Sequence, residues 1–278
     1  MTRSGMVAET WRHSRVDRSR SDYRVLVRYA TLAASSHNTQ PWIFKLESNR
    51  IQVRPDRFRR CPAVDPDDHH LYASFGCATE NLLLAAQAAG LKGHCRFDPS
   101  TTGLQVTLEE AQAVRSALLD AIPLRQCSRS EYDGAPLTKT QLEVLEGAAH
   151  GEGVSVLMMT GTEQKKLVTE YVAAGNEAQF ADPAWAQELK SWIRFNGKEA
   201  VRSGDGLYGP AMGNPGVPRW LGLLAMKGTF SAKNQNRKDR RHIQSSSAIA
   251  VICSEADDIP RWIEAGRSYQ RLALQAAS

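Results

Sequence analysis

The chain repeats itself. Ser19-Arg20-Ser21-Asp22-Tyr23 returns as Ser128-Arg129-Ser130-Glu131-Tyr132, an offset of 109 residues. Each copy precedes a helical pattern that ends in paired alanines: Leu26, Tyr29, Leu32, Ala33 and Ala34 in the first, Leu142, Leu145, Ala148 and Ala149 in the second. Spacings of three and four set these residues on one helix face. A strand-like run follows each helix, Trp42-Ile43-Phe44 in one case and Val154-Ser155-Val156-Leu157-Met158 in the other. The halves also close alike. Gly76-x4-Asn81-Leu82-Leu83-Leu84-Ala85-Ala86 lies over Gly266-x4-Arg271-Leu272-Ala273-Leu274-Gln275-Ala276, and both read as helices with a small-residue, close-packing face. Gly90 is expected to end the first in a left-handed conformation. The matching glycine of the second would fall just past Ser278, so the pattern predicts a further C-terminal segment. A duplicated α+β unit restricts the fold strongly: one chain can pack its two copies as a two-fold dimer packs its subunits.

The second copy is longer. Roughly 85 residues separate its first strand from the strand-like Ala248-Ile249-Ala250-Val251-Ile252. Helical stretches are predicted there at Glu163 to Ala174 and at Trp185 to Phe195. Gly204 to Pro218 then packs five Gly and three Pro into fifteen residues, the mark of a long irregular loop; such loops often serve as lids or binding loops. Within it, Gly204-Asp205-Gly206-Leu207-Tyr208-Gly209 fits the dinucleotide fingerprint. That motif works only between a strand and a helix N-terminus. Polar residues precede it here and Pro210, Pro215 and Pro218 follow, so it is rejected. The expected divisions are a basic N-terminal segment at 1–18, a first half at 19–120, and a second half at 121–278 carrying a lid-like insert at about 176–242.

Composition narrows the class. With 42% hydrophobic and 23% charged residues among 278, the chain has the apolar content of a globular protein with a substantial core. No apolar run approaches the roughly 20 residues of a membrane span; Leu82 to Ala86 reads as part of a short amphipathic helix. The Arg-rich N-terminus lacks the apolar stretch of a secretory signal. Cys61, Cys77, Cys95, Cys127 and Cys253 are scattered without a C-x-x-C pair, as expected of reduced thiols in a cytoplasmic protein. Asp65, Asp67, Asp68, His69 and His70 crowd one Pro-rich loop but match neither a zinc nor a calcium spacing, so no metal site is assigned. Residues 1–60 hold thirteen Arg/Lys against five Asp/Glu, and Lys233 to His242 forms a second basic run. Without aromatic interleaving or helix-turn-helix spacing, neither points to nucleic acid.

The stretch Leu32-Ala33-Ala34-Ser35-Ser36-His37-Asn38-Thr39-Gln40-Pro41-Trp42-Ile43-Phe44 sets six small or polar residues between an apolar helix and an apolar strand. On the residues alone it is either a well-capped turn or a loop that wraps a polar ligand. Ala34 to Phe44 resembles the P-S-S-x-N-x-Q-P-W-x-F segment of the flavin-dependent nitroreductase family, with Ala34 in place of proline. Arg125-Gln126-Cys127-Ser128-Arg129 is similar to that family's Arg-x-Ser-x-Arg/Lys segment, with Cys127 where a hydroxyl residue is usual. Gly76 to Leu91 resembles its long interface helix, and the duplication resembles its monomeric, internally duplicated branch.

The resemblance implies a nitroreductase-like α+β fold: a central, mostly antiparallel sheet flanked by helices, duplicated as a pseudo-dimer in a monomer, with a lid-like insert in the second half. It implies FMN as cofactor and NAD(P)H as electron donor, with a nitroaromatic or quinone-like small molecule as acceptor. Ser35, Ser36 and Asn38 would bind the flavin ring edge or ribityl chain. Arg125 and Arg129 would face its phosphate, whose oxygens guanidinium forks match, and Cys127 would add a weak hydrogen bond. The mirror-image pocket would be degenerate. Its loop counterpart, Ala148 to Gly153, lacks the motif, and its counterparts of Arg125 and Cys127 are Val16 and Arg18, so one flavin per chain is expected. No catalytic side chain is assigned, since the cofactor carries the chemistry, and His37 is read as a surface turn residue. The alternative is a non-catalytic flavin-binding or flavin-storage protein with residues 176–242 closed over the ring.

Overall fold

The structure, a computed structural model, describes residues 22–278. The Arg-rich N-terminus, with Val16, Arg18 and the first copy's Ser19 to Ser21, lies outside them. The described chain divides into two compact units. One holds the residues up to Gln126, Glu143–Val156 and Ile252–Ser278; the other holds Cys127–Leu142 and Leu157–Val251.

Along the chain come α1 (Tyr23–Ala30), a 3-10 turn (Ser36–Asn38), β1 (Trp42–Leu46), β2 (Arg50–Pro55), a second 3-10 turn (Arg57–Arg59), α2 (His69–Ala88), β3 (Leu91–Asp98), β4 (Gly103–Glu110) and α3 (Ala117–Ala121). There follow α4 (Lys139–Ala148), β5 (Val154–Met159), α5 (Thr162–Ala181), α6 (Pro183–Trp192), β6 (Ile193–Arg194), α7 (Gly197–Ser203), β7 (Leu207–Tyr208), a 3-10 turn (Gly209–Met212), α8 (Arg219–Thr229), α9 (Ala232–Ser245), β8 (Ile249–Ser254) and α10 (Ile259–Gln275).

The first unit is built on an antiparallel sheet in the order β1-β2-β4-β3. Period-2 alternation sorts its residues. Ile51 pairs with Val106 and Val53 with Leu104 on the core face, while Gln52 pairs with Gln105 on the polar one. α2 crosses that core face closely enough that a Cβ on Gly93 of β3 would collide with Leu83. α2 is not the short amphipathic helix that the Leu-rich stretch suggested. It runs 20 residues and is buried almost all round, because α1 and α10 cover what the sheet does not. Gly90 follows its C-terminus at φ 77°, as expected, and β3 starts at the next residue.

α2 and α10 meet where both backbones are bare. A Cβ on Gly76 would strike the carbonyl of Ile263, and one on Gly266 would strike the carbonyl of Ala73. The contacts are reciprocal, since each glycine faces the residue three positions before the other. The same exchange recurs a turn later. Gln270 donates to Asn81 at 2.8 Å, and Arg271 to Glu80 at 2.9 Å. These are the two helices that the sequence lays over each other.

The other unit is mainly helical. α5 packs on α9, with Asn176 donating to Asn236 and Asp239, both at 2.8 Å. Phe180, Trp185 and Phe230 form its aromatic centre, Trp185 and Phe230 stacked at 5.8 Å. The Gly/Pro-rich stretch contains the strand β7, parallel to the equally short β6, and then a 3-10 turn. The helix α7 precedes its G-x-G-x-x-G motif, where a dinucleotide site needs a strand. The second basic run lies on α9, where Lys238 holds the Met212 carbonyl at 3.1 Å and Arg241 pairs with Glu131 at 3.2 Å. β5 and β8 pair as a two-stranded sheet.

Candidate functional site

The turn between α1 and β1 is folded under strain. Ser35 is extended at φ −146°, and His37, Asn38 and Gln40 then take φ of 48°, 53° and 52°. Each such left-handed, non-glycine residue costs about 1–3 kcal/mol and persists only where its surroundings over-determine it. Several contacts do so here. Ser36 N–H donates to Ser74 Oγ of α2 at 3.3 Å, and Ser74 in turn donates to the His70 carbonyl at 2.6 Å. Gln40 N–H donates to Ser35 Oγ at 3.0 Å. Arg59 holds the carbonyl of Thr39, itself 1% exposed, at 2.9 Å. Pro41 accepts from Asp56 N–H at 2.9 Å. Trp42 then enters the core.

What this turn presents is polar. Asn38 is exposed, and Ser35 and Ser36 are half-buried. Hydroxyls that can donate and an amide that can do both suit the polar edge of a planar heterocycle or a polyol chain. His37 is not the surface residue expected: it is half-buried, with Nδ1 3.6 Å from Cys61 Sγ.

Arg125 lies in the same unit and reaches this turn's approach, donating from Nη2 to the Leu32 carbonyl at 3.1 Å. Its own N–H bonds back to Ala121 at 2.9 Å, so it continues the end of α3. The structure therefore brings Ser35, Ser36, Asn38 and Arg125 into one unit. Cys127 and Arg129 belong to the other, both exposed.

The acidic stretch before α2 has a structural duty. The Asp65 carboxylate accepts from the N–H groups of His70 at 3.1 Å and Leu71 at 3.0 Å, satisfying donors that a helix start leaves over. Asp68 pairs with Arg60 at 2.6 Å and Arg57 at 3.3 Å. No group of three or more His, Cys, Asp or Glu side chains among the described residues could hold a metal.

The turn after α4 is the segment that the sequence pattern sets against the first turn. Here the carbonyl of Ala148 accepts from Arg271 Nε at 3.2 Å, that of Ala149 from Ser268, and that of His150 from Arg271 Nη2 at 2.8 Å. A Cβ on Gly151 would run into Glu264, and one on Gly153 (φ 63°) into Arg261. Arg271 also pairs with Glu80 and Glu264, each at 2.9 Å, and Arg267 joins the same two carboxylates. Burial pulls the Arg267 guanidinium down, but these two carboxylates outweigh it and leave its pKa raised.

Other titratable groups are explained locally. Burial pushes the Cys95 thiol up to about 11, far from the thiolate form that reacts. The Ser100 hydroxyl and Gln105 amide hold Asp98 down to about 2. All five cysteines are free thiols. Sequence reasoning missed Ser74, Arg59 and Cys61, which shape the first turn from 20 to 38 residues away. No local pattern marks such contacts.

No helix of the described residues is long and apolar enough to cross a membrane. No protein-family model matches the chain. Two curated proteins from two strains of Mycobacterium tuberculosis, each named "Putative NAD(P)H nitroreductase", are 25% identical to it over 265 residues, covering 92% of this chain and 73% of their own length. The chain is thus similar along most of its length to proteins so named, and this distant likeness supports the nitroreductase family.

Proposed function

We propose that the protein is an FMN-binding oxidoreductase of the nitroreductase type, taking hydride from NAD(P)H and delivering electrons to a nitroaromatic or quinone-like acceptor. The observation that carries this reading is the strained turn at Ser35 to Gln40, over-determined from beneath while Asn38 is exposed and Ser36 half-buried beside it. The similarity to the two mycobacterial proteins, whose names specify that donor and activity, supports it.

In this reading Ser35, Ser36 and Asn38 hydrogen-bond the flavin ring edge or ribityl chain. The Arg125 guanidinium, in the same unit, would meet its phosphate. Arg125 has a second duty, because its hold on the Leu32 carbonyl also fixes the entry to the turn. Bound flavin supplies the hydride chemistry; the chain's residues bind and orient it. The reciprocal Gly76–Gly266 crossing supports an internal duplication, in which the turn after α4 is a copy that has lost its ligand groups.

Titrating the purified chain with FMN tests this directly. Saturable uptake near one equivalent is expected, and Ser36→Ala/Asn38→Ala should weaken uptake about tenfold or more, with the melting transition little changed. A chain that stays colourless sinks the flavin reading. Anaerobic mixing with NADPH then separates enzyme from store: bleaching on a turnover timescale supports the oxidoreductase, and persistent yellow refutes it.

A further inference from the structure

We infer that His37 is the positioning residue of the Ser35–Gln40 turn, and that the buried Cys61 thiol is the seat that holds it. The inference rests on the flavin reading for its effect on FMN affinity and on the structure alone for its effect on the turn.

The anchors on this turn divide into two kinds. Those from Ser74, Ser35 and Arg59 grip its backbone, at the Ser36 N–H, the Gln40 N–H and the Thr39 carbonyl. The contact of His37 Nδ1 with Cys61 Sγ, at 3.6 Å, instead grips the side chain of the residue that begins the left-handed run.

Cys61 is well placed to be a fixed point. It is 4% exposed, and its carbonyl accepts from the N–H groups of Val64 at 3.1 Å and Asp65 at 2.7 Å. Asp65 is in turn bonded to the first turn of α2. The longest helix of the sheet-bearing unit therefore controls the turn twice, through Ser74 on one side and through Asp65, Cys61 and His37 on the other. Asn38 comes next in the chain and is exposed, so the rotation at His37 sets where the Asn38 amide points. Without the seat, His37 can return to the negative φ that L residues prefer. The turn would then spend only part of its time in the binding-competent form, and apparent affinity falls by that fraction.

The experiment uses the full chain and a double-mutant cycle. FMN dissociation constants are measured for wild type, Cys61→Ala, Cys61→Ser, His37→Gly and the His37→Gly/Cys61→Ala double variant, alongside amide hydrogen exchange at Asn38 and Thr39. Amide protection in α2 serves as the check that each variant is folded. Cys61→Ala is expected to raise the dissociation constant about tenfold and speed exchange at Asn38 and Thr39. Cys61→Ser, which keeps a hydrogen-bonding group on the imidazole, should recover most of the affinity. In the His37→Gly background Cys61→Ala should change the constant by less than about twofold, since the imidazole that it positions is then absent. An equal loss in both backgrounds, or unchanged exchange in Cys61→Ala, overturns the inference. Should wild type take up no FMN, the flavin reading and the predicted affinity effect both fall. Exchange at Asn38 and Thr39 then decides the latch itself.

Discussion

The turn after α1 and the turn after α4 both lead from a helix into a strand, yet their backbones face opposite surroundings. At the first, α2 offers one small hydroxyl, Ser74, which fixes the Ser36 N–H and leaves the side chains of Ser36 and Asn38 at or near the surface. At the second, α10 lays Ser268 and Arg271 on three successive carbonyls, and Glu264 and Arg261 crowd the glycines. The difference lies in the helix behind each turn as much as in the turn itself. Asn81 on α2 and Arg271 on α10 each reach a carbonyl near the end of another helix, Tyr29 of α1 or Ala148 of α4. The short amide stops at one carbonyl. The long guanidinium goes on to the turn.

Arg271 separates the two turns most forcefully. Replacing it with Met leaves Glu80 and Glu264 short of a partner in a mostly buried network and frees the carbonyls of Ala148 and His150. We expect a loss of about 3–5 kcal/mol in denaturant unfolding, with FMN uptake per folded molecule preserved. A smaller effect is expected at the crossing that both turns share. Gly266→Ala drives a methyl into the Ala73 carbonyl and should cost about 1–3 kcal/mol, whereas Gly175→Ala, on α5 with open space around it, should gain up to about 1 kcal/mol.

Ser74→Ala acts on the first turn alone. Losing the bond to Ser36 N–H should cost about 1 kcal/mol of stability and weaken FMN uptake, with the sealed turn untouched in hydrogen exchange. The least effect belongs to a site remote from both. Asp98 is held to about 2 by Ser100 and Gln105, below the usual carboxylate value of about 4. A lowered folded-state pKa stabilises above the unfolded value, and that contribution fades as pH falls through about 2. Wild type should therefore exceed Asp98→Asn in stability at pH 5, and the two should converge near pH 2 when followed by thermal melting.

Much of this arrangement was legible in the chain. Gly76 and Gly266 could be matched because close helix packing leaves bare glycines at fixed spacing from apolar partners. Gly90 could be read as a cap because a left-handed residue after a helix favours glycine. The polar run from Ser35 to Gln40 stood out as unlike core. Its conformation did not, since His37, Asn38 and Gln40 are driven to positive φ by contacts from Ser74, Arg59 and Cys61 that no window along the sequence contains. The acidic stretch before α2 showed only its composition, and its capping role depends on Asp65 folding back five and six residues. Likewise, the Leu82 to Ala86 run suggested one apolar face because its other neighbours, α1 and α10, are remote in the chain.

One turn is open and the other sealed, and the number of cofactors bound reports on that difference. In an FMN titration of the full chain followed by absorbance and by equilibrium dialysis, saturation at one equivalent is predicted, with Ser36→Ala/Asn38→Ala lowering it and changes at Gly151 leaving it alone. Saturation at two equivalents, or uptake that survives loss of Ser36 and Asn38 but not of Gly151, would contradict it.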